Sequence, residues 1–168
     1  MNEPTFTTIL IIAFIILALC SASLLITVIL IISNLFRKRR TFPKYFLSAT
    51  LVVGFLVSIF FYNYYYTFNL LPKGELNQVV SSPDGKLEIR TYHYNGLFNR
   101  MARAEVKYRE SKKTKTIYFN DYDFNPLVMW ISSDKVTIGR ETLVISQNKS
   151  YDFRKDHTNE NKLPPQAS

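Results

Sequence analysis

Two uncharged stretches constrain this chain more than any other feature. None of the residues from Phe6 to Phe36 carries a charge, and none does from Tyr45 to Phe68. Between them stand Arg37, Lys38, Arg39, Arg40 and Lys44. A bilayer core of about 30 Å is crossed by about 20 apolar residues of helix, and both stretches exceed that length. The sequence therefore predicts a transmembrane hairpin: a short tail (1–5), a first helix (6–36), a basic loop (37–44) and a second helix (45–68). Short loops rich in Lys and Arg stay on the cytoplasmic side. That places the loop inside, and it places both termini and everything after residue 68 outside. The expected location is the cell membrane, multi-pass, with the lipid bilayer as the first partner.

Several details of the two spans bear on their role. Phe42, Tyr45 and Phe46 sit at one end of the second span, and Phe60, Phe61, Tyr62, Tyr64, Tyr65, Tyr66 and Phe68 crowd the other. Such rings favour the membrane–water interface. Thr50, Gly54 and Ser58 recur every four residues, and Ala18 and Ala22 repeat that spacing in the first span. Small residues allow helix backbones to approach closely in lipid, so these two stripes are expected to pack together. Neither span contains an ionisable Asp, Glu, Lys, Arg or His. Residues of that kind mark proton relays and ion pathways, which argues against a transporter or channel. Cys20 is the only cysteine. It allows no intramolecular disulfide, and the preceding Leu17-Ala18-Leu19 does not suit lipidation. The missing positive n-region argues against a cleaved signal peptide.

After Asn69 the pattern changes to period two. Leu70-Leu71-Pro72-Lys73-Gly74 ends the apolar part, and Ser82-Pro83-Asp84-Gly85 and Asn95-Gly96 are turn signals. Ala102, Ala104, Val106 and Tyr108 alternate with Arg103, Glu105, Lys107 and Arg109, which predicts a half-buried strand. Further strands are expected over 87–94, 116–119, 127–131, 135–138 and 142–145, with 151–154 closing the domain. Trp130, the only Trp, lies in the most apolar of these and is expected at the core. The predicted fold is a two-helix transmembrane hairpin followed by a small antiparallel all-β domain over 69–154. Residues 155–168 hold two prolines and little apolar character, and are expected to be a disordered tail.

The segments Leu71-Pro72-Lys73-Gly74-Glu75-Leu76, Ser82-Pro83-Asp84-Gly85-Lys86, Arg103-Ala104-Glu105-Val106, Ile117-Tyr118-Phe119, Trp130 and Tyr151-Asp152-Phe153-Arg154 follow one another in that order. In order and spacing the chain resembles, from Leu70 to Arg154, a family of small Gram-positive bacterial proteins known only as a domain of unknown function. Members of that family carry hydrophobic segments ahead of a short β-rich domain. The resemblance implies a Gram-positive membrane as habitat and implies no activity.

No catalytic signature, cofactor motif or metal motif stands out. His93 and His157 are the only histidines, and no cysteine accompanies either in the domain. Asp121, Asp123 and Asn125 have the spacing that opens a calcium loop, but Pro126 and Ser132 stand where Gly and Glu are required. They read as solvated loop residues. Ser81, Ser82, Ser132 and Ser133 lie in turns without a recognisable base. Arg100, Arg103, Lys107, Arg109, Lys112, Lys113 and Lys115 make one hairpin strongly basic. They read as edge protection, or as a contact face for anionic lipid or a wall polymer. The topology removes nucleic acid as a partner. These features together predict a non-enzymatic, membrane-anchored extracytoplasmic module that binds a protein partner or an anionic envelope component. The alternatives are an envelope enzyme acting on lipid or cell-wall material, and an accessory subunit of a larger membrane complex.

Overall fold

The structure, a computed structural model, describes residues 3–36, 44–96, 99–156 and 162–167. The basic residues Arg37 to Arg40 and the histidine His157 lie outside the described residues. The chain divides into two compact units, one of residues 4–71 and one built from Pro72 onward.

The first unit is a pair of helices, α1 (Glu3–Phe36) and α2 (Lys44–Tyr66). Both are long and apolar enough to cross a membrane. In such a helix every backbone group is bonded within the segment, which is what allows it to sit in hydrocarbon. One stripe on each helix is withdrawn from the surface: Ala13, Ile16, Cys20, Ser23 and Thr27 on α1, and Leu47, Thr50, Gly54, Val57 and Phe61 on α2, with Leu10 buried off the α1 stripe. Both stripes step by three and four residues, the spacing of a coiled-coil seam. Ser23 and Thr50 share a hydrogen bond of 2.7 Å between their hydroxyls, and Phe14 packs on Phe61 with ring centres 5.0 Å apart. Thr27 and Thr50 also donate to the carbonyls of Ser23 and Phe46, four residues back on their own helices. That satisfies hydroxyls that lipid could not.

This corrects the expected small-residue packing. Ala18, Ala22 and Ser58 are exposed, and of that set only Thr50 is buried. At 100° per residue, Ala18 and Ala22 fall on the side of α1 opposite Ile16 and Cys20. Gly54 lies on the inward stripe, yet a Cβ built there would meet nothing within 4 Å. The helices meet through side chains, the Ser23–Thr50 hydroxyls among them, and not through closely approaching backbones.

The second unit is a β domain of two sheets. Strands β1 (Glu75–Ser81), β2 (Leu87–Asn95), β3 (Arg100–Tyr108) and β4 (Thr114–Asp121) form an antiparallel meander. A short strand, β8 (Tyr151–Asp152), adds to β4 in parallel, so the domain is mostly rather than wholly antiparallel. Strands β5 (Val128–Trp130), β6 (Lys135–Ile138) and β7 (Glu141–Val144) form a second antiparallel meander. The core lies between the sheets. Ile89, Ala104, Val106, Ile117 and Tyr118 meet Val128, Val136, Ile138, Leu143 and Ile145 there. Ile89, Ala104, Val106, Val136 and Ile138 have no exposed surface. Each larger aliphatic of this kind contributes about 1.5–3 kcal/mol by leaving water. Trp130 is not at the centre. It is half-buried against the core edge, with its indole N–H donating to the Val80 carbonyl at 3.3 Å.

Residues 162–167 do not behave as a solvated tail. They run along the domain, and Gln166 forms an antiparallel bridge with Pro126. Backbone bonds join Leu127 N–H to the Pro165 carbonyl and Ala167 N–H to the Asn125 carbonyl.

Candidate functional site

The turns gathered at one end of the β domain surround an open cleft of about 450 Å³. They are the turns away from Glu75, where the chain enters the domain, because β1 ends at Ser81 paired with Glu88. The Ser82–Lys86 turn is built by its own side chains. Ser82 Oγ donates to Asp84 Oδ1 at 2.7 Å and accepts from the Leu87 N–H at 3.0 Å, and Lys86 N–H donates to Asp84 Oδ1 at 3.2 Å. Those bonds, the Ser82 hydroxyl first, hold the Asp84 carboxyl below its ordinary pKa, so it stays ionised. Arg109 N–H donates to the Lys86 carbonyl at 3.0 Å, which ties this turn to the one after β3. The third wall is locked by Asp134, which accepts from the Ser146 N–H and hydroxyl.

Leu87, Tyr108 and Ile145 give the cleft an apolar floor, and Asp84, Lys86, Arg109, Glu110 and Asp134 give it a rim of both signs. Three serines line it without a histidine among the lining residues. An apolar floor with fixed charges of both signs suits an amphiphilic ligand with a positive and a negative group, such as a segment of polypeptide. It does not suit a polyanion, which the three carboxylates would repel.

The seven basic residues do not make one surface. Arg103 is buried, bonded to Glu105 at 3.0 Å, with its guanidinium 4.9 Å from the Tyr92 ring centre. Lys107 lies opposite Glu88 in the register, and Arg109 approaches Glu88 at 3.7 Å while donating to Ser81 Oγ. Arg100 stands over the Phe124 ring at 4.7 Å, and Lys115 donates to Asn148. Lys112 and Lys113 are exposed in the β3–β4 turn. Glu88 and Glu105 interleave with the cations, so the contact face read from composition is a charge-paired sheet surface.

His93 Nδ1 is hydrogen-bonded to Asn77 Oδ1, and Nε2 lies 3.5 Å from Glu75. Its ring packs on Phe124 at 4.6 Å. Among the described residues no group of three His, Cys, Asp or Glu could hold a metal ion. Asp121, Asp123 and Asn125, expected to be solvated, are instead built into the fold. Asp121 is buried, and Asp123 has no exposed surface. Asp123 accepts from Tyr118 Oη, the Phe124 N–H and Gln166 Nε2, each at 2.8 Å. Burial, the largest influence, pushes the Asp123 carboxyl above its ordinary pKa and outweighs these bonds. The neighbours Tyr122 and Phe124 are exposed and left no sign that the acid between them is buried. Its partner Gln166, 43 residues away, left none.

A model described as a family of unknown function, DUF5412, matches residues 39–156. The chain belongs to that family. The matched span takes in α2 and strands β1 to β8, and stops short of residues 162–167. No curated protein and no solved structure matches the chain.

Proposed function

We propose that this DUF5412 member is a membrane-anchored module, without catalytic activity of its own, that presents its β domain on the extracytoplasmic side and binds a segment of a partner envelope protein in the end cleft. The anchoring part of this reading rests on α1 and α2, both long and apolar enough to span and free of Asp, Glu, Lys, Arg and His from Phe6 to Phe36 and from Tyr45 to Phe68. The orientation rests on the five positive charges between them, which the cytoplasmic face retains. A Gram-positive envelope fits the resemblance noted in the sequence.

The observation that carries the binding reading is the mixed-charge rim over Leu87, Tyr108 and Ile145. It favours polypeptide over the anionic lipid or wall polymer that the basic composition suggested, because Asp84, Glu110 and Asp134 share the rim with Lys86 and Arg109. A photo-crosslinking side chain at Lys86, introduced into the full chain in native membranes, tests it. The expected product is a discrete protein adduct, lost when Arg109→Glu and Tyr108→Ala are combined. A smear of adducts unaffected by those changes would defeat the reading.

A further inference from the structure

The seat of residues 162–167 is more specific than the fastening of a tail requires. The Gln166 carboxamide is read from both sides. Its Nε2 donates to Asp123 Oδ1 at 2.8 Å and to the Pro164 carbonyl at 2.9 Å, while its Oε1 accepts from the Asn125 N–H at 2.8 Å. Asp123 is fixed as an acceptor because its other oxygen is held by Tyr118 Oη, deep in the domain. A carboxamide is the uncharged side-chain group that offers two donors, here to Asp123 and the Pro164 carbonyl, and an acceptor to Asn125 at once. A glutamate would set a carboxylate against a carboxylate there, and asparagine is one methylene short.

The backbone is read as well. Leu127 N–H donates to the Pro165 carbonyl, Ala167 N–H donates to the Asn125 carbonyl, and Arg140 Nη2 donates to the Leu163 carbonyl at 2.8 Å. This is strand addition, in which main-chain bonds give affinity and one side-chain pocket gives selectivity. Pro164 and Pro165 have no N–H to leave unpaired, and they hold the segment extended. Gly139 makes room for the first of them: with φ of 60°, it would place a Cβ 3.0 Å from Pro164 Cβ.

We infer that Asp123, Asn125, Leu127 and Arg140 form a peptide-recognition site that reads glutamine in an extended Pro-Pro-Gln segment, and that residues 162–167 are its resident ligand. The site is separate from the end cleft and stands whether or not the cleft binds a partner. Because the ligand is tethered, it competes at high effective concentration with any free peptide of the same sequence. Weakening the tethered copy therefore opens the site.

The test uses the full chain in detergent and a labelled peptide with the sequence of residues 162–168, Lys-Leu-Pro-Pro-Gln-Ala-Ser. The Gln166→Glu chain is expected to bind this peptide at least about tenfold more tightly than the unaltered chain, whose site is filled. The same peptide with Glu in place of Gln is expected to bind at least about tenfold more weakly, through loss of a partly buried hydrogen bond and repulsion from Asp123. The Gln166→Ala chain, which adds no charge, gives the same ranking if the glutamate disturbs folding. Saturable binding to neither altered chain, equal binding of the Gln and Glu peptides, or equal binding to altered and unaltered chains would overturn the inference.

Discussion

Tyr118→Phe removes one oxygen from the middle of the domain and leaves the ring in place. In the native structure that hydroxyl donates to Asp123 Oδ2 at 2.8 Å, and neither side chain is open to water. The carboxyl keeps its bonds from the Phe124 N–H and Gln166 Nε2, but no solvent can replace the lost donor. Leaving a buried acceptor short of a partner costs about 1–3 kcal/mol. The loss carries a pH signature. Burial holds the Asp123 carboxyl above its ordinary value of 3.8, so just above that value the folded chain binds more protons than the unfolded one. Stability contributed by this group is therefore complete at low pH and falls as pH rises toward the folded pKa. The Tyr118 bond favours the ionised form, so the phenylalanine raises the carboxyl further and deepens that fall. Urea unfolding of the full chain in detergent, followed by Trp130 emission, should show a ΔΔG of about 1–3 kcal/mol near neutral pH and a smaller one near pH 4. A loss below about 0.5 kcal/mol, or one independent of pH, would refute the account of Asp123 as a buried carboxylate held by Tyr118.

Three further outcomes follow from the same geometry. Ser23→Ala removes the Ser23–Thr50 hydroxyl pair between the helices and should weaken the hairpin by about 0.6 kcal/mol, the usual worth of such a bond in lipid, read by unfolding in mixed micelles. Gly54→Leu should leave cysteine cross-linking between positions 23 and 50 intact, because a Cβ there meets open space; loss of the cross-link would restore the close-packing model. Gly139→Ala should cost about 2 kcal/mol or more in thermal unfolding of the full chain, since it combines a φ of 60° with a Cβ 2.9 Å from Tyr118 Oη.

The parts of the fold legible in sequence were those set by local chemistry. The Asp84-Gly85 turn and the strand Lys135–Ile138 were readable because side-chain preference and burial agree there, whereas the alternation along β3 marked the strand but set Arg103, which is buried, on the exposed side. β1 carries little alternation and emerged only from its pairing with β2. The helix seam was readable but misread: the only polar residues of α1 spaced three and four apart with Cys20 are Ser23 and Thr27, and they mark the buried face better than the alanines do. The end cleft could not be foreseen, since it joins turns from β1–β2, β3–β4 and β5–β6 and the end of β7. The seat of Gln166 was hidden for a related reason. Two prolines and a polar composition read as disorder, while the bonds that order the segment come from residues about 40 positions earlier.

The central claim is an anchored module with its β domain outside the cytoplasm, and protease accessibility in sealed protoplasts tests it most directly. On this proposal two spans return the chain to its starting side, which puts the loop from Arg37 to Lys44 and the domain after Asn69 on opposite faces of the membrane. External protease is expected to digest the β domain and to leave a membrane-bound fragment containing that loop. A β domain protected in sealed protoplasts and digested only after lysis would contradict the topology and, with it, the extracytoplasmic binding role.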